Sequence, residues 1–171
     1  MLSLKHTTAK TKEKLEKRLL KKFREFILDQ DHPSDIAKPL ILDNKVTLRN
    51  YHKLGSIETA EKLICDLKTF LKKQPSDNTQ IESFIAAFSH QDIESDFRFE
   101  ELLWRQLWLL KQCDNKPWEK SVDSNSESDF FRFNLLGKAF YILGMHSESS
   151  AKAKQSPYPC IVFTLHDQLK N

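Results

Sequence analysis

Two histidines close apolar runs. His146 follows Ala139–Met145 and His166 follows Ile161–Leu165. The end of a strand beside a loop is where a scaffold holds a functional group rigidly. A neutral imidazole at such a place could ligate heme iron, with apolar walls keeping the metal from bulk water. Phe130, Phe131, Phe133, Phe140 and Tyr141 could supply those walls. The acidic stretch Val122–Asp129 is a second candidate. Its Asp123, Glu127 and Asp129 could hold a cationic group such as a guanidinium through bidentate hydrogen bonds. Each set also has a plain reading, as strand-terminal polar residues, core aromatics and a solvated loop. Pattern alone favours the plain reading.

Other chemistries leave no local trace. There is no GxGxxG, Walker loop, GxSxG or HExxH, and no CxxC or HxxxH pair that would suit zinc. The 3 glycines argue against a glycine-rich phosphate loop. Cys65, Cys113 and Cys160 are odd in number and far apart, which argues against a disulfide framework and for a reducing, cytoplasmic setting. Met1–Leu4 is too short for the apolar part of a secretory signal, and no apolar run reaches the roughly 20 residues of a membrane helix.

The 171 residues, with 39% apolar and 30% charged side chains, suit one globular domain with a real core. The net charge of +3 is concentrated near the start, where Lys5, Lys10, Lys12, Lys14, Lys17, Arg18, Lys21 and Lys22 face only Glu13 and Glu16. A basic arm can meet nucleic acid or anionic lipid, but it also reads as a solvated helix face. Without interleaved exposed aromatics, nucleic-acid binding ranks last. The expected organisation is a flexible basic segment over 1–10 and a single domain over 11–171.

The periodicity predicts a helix over Thr11–Leu28, with Leu15, Leu19, Phe23, Phe26 and Ile27 on one stripe. Pro39–Leu54 reads as extended. Ser56 caps a helix whose buried face is expected to be Ile57, Ala60, Leu63, Ile64, Leu67, Phe70 and Leu71. Ser83–Ser89 has the length of a strand. Phe97–Cys113 reads as a central helix because its apolar arc is wide, with Trp104 and Trp108 four apart. Phe130–Leu135 and Lys138–Met145 read as strands joined by a tight turn at Gly137, Ser147–Gln155 as a short helix, and Cys160–Leu165 as a last strand. The fold class expected is α+β: a mixed, largely antiparallel sheet of about four to five strands packed with three or more helices.

The order of several segments resembles the YqcI/YcgG family. Phe99-Glu100-Glu101-Leu102-Leu103-Trp104 is similar to its FE…LW helix, and Trp118 with Ser121–Phe133 to its W…VS…D…FSFS stretch. Gly137–His146 (GKAFYILGMH) resembles its G-x-AFFVVGLH strand, and Pro159–His166 with Gln168 its P-x-LVFN-x-H-x-QF segment. The likeness covers roughly Phe23 to Leu169. It implies a heme-dependent monooxygenase that hydroxylates a nitrogen of a small guanidine or amine substrate, drawing on an electron donor. Carried over, His146 and His166 are the positions for the axial ligand, with His146 preferred as the metal ligand. Phe131, Phe133 and Phe140 would wall the cofactor, and Asp123, with Glu127 and Asp129, would lie at the substrate mouth. Three features depart from the family pattern: Pro33-Ser34 replaces its Pro-Cys pair, Ser147 replaces the proline after the first histidine, and the chain stops at Asn171. A non-catalytic domain that keeps the fold and binds a small molecule or a protein is the alternative expectation. Homo-oligomerisation is left open.

Overall fold

The structure is a computed structural model that describes residues 2–29, 31–33, 37–42, 45–74, 81–116 and 132–165, with backbone alone for 2–7, 37, 39 and 40. The apolar stripe of the first segment winds into α1 (Leu2–Leu28), burying Leu19, Phe23 and Ile27. The helix starts well ahead of Thr11. Its lysine-rich faces carry exposed Glu–Lys pairs one turn apart, such as Lys17 on Glu13, which suit a solvated helix. Pro39 does not prevent a short helix α2 (Ala37–Leu42), because the first turn of a helix needs no N–H from that residue. The extended segment expected there shrinks to β1 (Val46–Asn50).

Ser56 is the N-cap of α3 (Ile57–Lys72), its hydroxyl accepting the Thr59 N–H at 3.2 Å. β2 (Ser83–Ala87) follows and is buried along its whole length. Ser95 caps α4 (Asp96–Cys113) in the same way. β3 (Arg132–Leu135) and β4 (Lys138–Met145) form a hairpin whose two turn residues, Leu136 and Gly137, both have positive φ. That geometry matches the right-handed strand twist, and Gly137 adopts it without strain. Only a single 3₁₀ turn, Lys152–Lys154, forms where a short helix was expected, and β5 (Cys160–Leu165) ends the described chain.

The strands form one sheet in the order β1-β2-β5-β4-β3. β1 and β2 are parallel, joined through α3, and the other pairs are antiparallel. This is the mixed, mostly antiparallel α+β sheet that the sequence implied. Side-chain alternation gives each face its own core. On one face, Phe84, Phe133, Phe140, Ile161 and Phe163 meet Leu63, Leu67, Phe99, Leu107 and Leu110 from α3 and α4. On the other, Ile85, Met145 and Cys160 meet Leu19, Phe23 and Ile27 from α1. Tyr158 pins α1 by donating its hydroxyl to the Leu19 carbonyl at 2.7 Å.

The register fixes where strand ends lie. Met145 sits beside Cys160, and Phe140 beside Leu165. The ends of β4 and β5 that lead into His146 and His166 are therefore at opposite ends of the strand pair.

Candidate functional site

His146 leaves β4 on the α4 side of the sheet. Its backbone is tied down by three hydrogen bonds: its N–H to the Lys154 carbonyl, and its carbonyl to the N–H groups of Ser149 and Ser156. The side chain is 2% exposed. Its Nε2 lies 2.8 Å from Asp96 Oδ1, and Phe99, one turn along α4, packs on the ring with centroids 4.6 Å apart. The same Asp96 accepts the Ser150 hydroxyl and the Ser150 N–H. Those two bonds, with the His146 N–H adding to them, lower the Asp96 carboxyl from its ordinary 3.8 to about 2. A carboxylate that ionised only accepts hydrogen bonds, so Nε2 carries the proton. Nδ1 is buried with no hydrogen-bond partner among the described residues.

An unpartnered imidazole nitrogen, opposite one fixed by a carboxylate, has the donor chemistry of a metal ligand. The surroundings do not suit a porphyrin. Nε2, the nitrogen clear of the main chain, is committed to Asp96. Nδ1 is bonded to Cγ, on the main-chain side of the ring, where a flat macrocycle has less room than at Nε2, and it is itself buried. The expected walls are also elsewhere. Phe140 is six residues back along the strand, roughly 20 Å away at about 3.3 Å per residue, and Phe133 is its cross-strand partner. Both rings are core, with Phe140 fully buried and set edge-on to Phe163. The described residues therefore do not fit a heme on His146. Phe133 and Phe140 lie instead at the Leu165 end of β5. Phe131, Asp123, Glu127, Asp129 and His166 fall outside the described residues. Among the described residues no cluster of histidine, cysteine, aspartate and glutamate is built to hold a metal ion, and no helix is long and apolar enough to cross a membrane.

The sequence reading missed Asp96, Phe99 and Ser150 as partners of His146. Ser95-Asp96 at the head of α4 is legible as a cap, but nothing local ties it to a histidine fifty positions later.

A cleft of about 420 Å³ opens along the free edge of β1, between α1 and α3. Leu20, Val46, Leu48, Phe70 and Phe84 give it an apolar floor. Four carboxylates (Glu13, Glu16, Asp66, Glu82) and three cations (Lys17, Arg49, Lys73) line it. Glu16 is nearly buried and faces the sheet edge, accepting the Asn50 N–H at 3.1 Å and the Arg49 guanidinium at 3.4 Å. Asp66 accepts the hydroxyl of buried Tyr51 at 2.7 Å. Burial, with the Asp66 charge adding to it, pushes the Tyr51 phenol well above its usual range, so it stays a donor.

A model of the YqcI/YcgG family matches residues 23–171. The chain belongs to the YqcI/YcgG family. No curated protein and no solved structure matches it. Apart from the residues of α1 before Phe23, among them Leu19 of the second core, the match covers both cores, the Asp96–His146 pair and the β1-edge cleft.

Proposed function

We propose that this YqcI/YcgG protein is a binding domain for a small amino- or guanidino-alkyl compound, held in the cleft between α1, β1 and α3. The observation that supports this reading is the cleft's combination of an apolar floor with four carboxylates, while the Nε2 of His146 is engaged by Asp96. The cleft suits the same substrate class without a cofactor. Its apolar floor receives an alkyl chain, its carboxylates pair with an ammonium or guanidinium, and Lys73 or Lys17 can meet a carboxylate on the same ligand.

Two assays on one preparation test the reading. Added hemin should keep the broad Soret band of free hemin, with no shift or sharpening on titration with the protein. A free guanidino- or amino-alkyl acid at about a hundred times its Kd should raise Tm by about 5–10 °C, the equivalent of roughly 2.7 kcal/mol for a chain of this size. Asp66→Asn keeps the acceptor for Tyr51 but removes the charge, and should abolish the shift. A shifted Soret band that is lost in His166→Ala would instead overturn this reading in favour of a heme protein, and N-hydroxylation of the same compound would then test the oxygenase. That outcome would draw on the placing of Phe133 and Phe140 at the Leu165 end of β5.

A further inference from the structure

Another cavity, of about 300 Å³, lies at the carboxyl ends of the parallel strands β1 and β2. The turn that follows β1, the first turn of α3 and His90 just past β2 line it, together with Lys12 of α1. In sheets with parallel strands, ligands are held at this end, where the chain leaves a strand for the next helix. The cavity is of the size that small-molecule sites have.

Its charge is opposite to that of the β1-edge cleft. Three lysines (Lys12, Lys53, Lys62) and two histidines (His52, His90) stand against one carboxylate, Glu58, so with neutral histidines the lining has a surplus of two positive charges, three lysines less one glutamate. Lys62 already holds Glu58 at 2.7 Å. Lys12 lies 3.8 Å from Glu16, a carboxylate that is also bonded to the Asn50 N–H and the Arg49 guanidinium. The Lys53 ammonium makes no ion pair among the described residues. Asn50 adds a neutral donor: its Oδ1 accepts the Ser89 N–H at 3.1 Å, which leaves the NH₂ end to donate.

The turn that carries Lys53 is fixed in place. Its carbonyl accepts the hydroxyls of Ser56 and Thr59 at 3.0 and 2.7 Å, and the N–H groups of Leu54 and Gly55 are held by Gln91 and Gln106. The cationic lining is thus set before any ligand arrives, which lowers the ordering cost of binding.

We infer that this cavity binds a small molecule carrying a phosphate monoester. Such a group has nearly two negative charges and three acceptor oxygens. It can meet donors that converge from α1, α3 and the turns after β1 and β2, whereas a flat, singly charged carboxylate cannot meet them all. The start of α3 adds the positive end of its dipole. A recess of this kind suits a small molecule better than a membrane surface does.

NMR titration of the full chain at constant ionic strength tests this, with inorganic phosphate, glycerol 3-phosphate and acetate as probes. Both phosphates should give saturable shifts at the His52 and His90 imidazoles and the Lys53 amide, and acetate should give none. Lys53→Gln should weaken phosphate binding about tenfold with an unchanged circular dichroism spectrum. Shifts that never saturate, that acetate reproduces, or that Lys53→Gln leaves unchanged would overturn the inference. Vesicles of phosphatidic acid that bind the protein more tightly than glycerol 3-phosphate does would overturn the small-molecule assignment, and with it the inference.

Discussion

At Gly144 α4 packs close on β4, and replacing it with alanine makes the packing behind His146 measurable. A Cβ at Gly144 would stand 2.6 Å from Phe99 Cε1 and 2.9 Å from Leu103 Cδ2, both on α4. Neither distance is tolerable, so the Phe99 ring or the whole helix must shift. Overpacking of this kind costs about 1–3 kcal/mol. For a chain of this length, about 2 kcal/mol lowers Tm by about 4–8 °C. Phe99 is also the ring stacked on His146, so the loss should be coupled to that residue. In a Phe99→Leu background the clash is relieved, and Gly144→Ala should cost clearly less than it does alone. Thermal melts followed by circular dichroism give all four corners of the cycle. A Gly144→Ala protein as stable as the parent would refute the close approach of α4. Full additivity with Phe99→Leu would refute Phe99 as the residue that feels it.

Other expectations follow from single contacts. Gln106→Leu strands the Gly55 N–H, now bonded to Gln106 Oε1 at 2.8 Å, and should cost about 1–3 kcal/mol in urea denaturation. Asp96 has a folded pKa held below its unfolded one, so its contribution is present above about pH 4 and fades as pH falls toward about 2. Asp96→Asn should flatten that part of a stability-against-pH curve. Cys160 is fully buried and its thiol is pushed up to about 12 by that burial, whereas Cys65 is exposed. A thiol reagent should therefore label Cys65 quickly in the native protein and Cys160 only on unfolding.

Much of the fold is written locally. The stripe in α1 and the Ser56 cap are short-range patterns, and each produced its element. β3 forms as well, but Asn134, expected to alternate outward against Phe133, is fully buried. Where local rules misled, a tertiary contact or a terminal position explains it. Pro39 reads as a helix breaker, yet it falls in a first turn, where its missing N–H does no harm. Trp104 and Trp108 widen the apolar arc of α4 and suggest a central helix, but both are exposed. Composition cannot tell an aromatic that faces a core from one that faces outward. Gln106, placed by periodicity among apolar neighbours, is buried because it satisfies the backbone at Gly55 and Ser56.

The candidate sites were less legible. His146 does stand at a strand end, as its position suggests, but its chemistry is set by Asp96 and Ser150. Those contacts exist only once β4 lies against α4. The cleft at β1 joins residues from α1, α3 and the sheet, and no stretch of sequence shows Glu16 reaching Asn50.

Whether the His146 imidazole is locked to Asp96 or available to iron is decided most directly by long-range ¹⁵N–¹H NMR of its ring, recorded before and after hemin is added. The expected spectrum shows a protonated Nε2, hydrogen-bonded and unmoved by hemin, which loses that bonded signature in Asp96→Ala. An Nε2 without a proton, or a His146 signal driven out of the diamagnetic range by hemin, would contradict it.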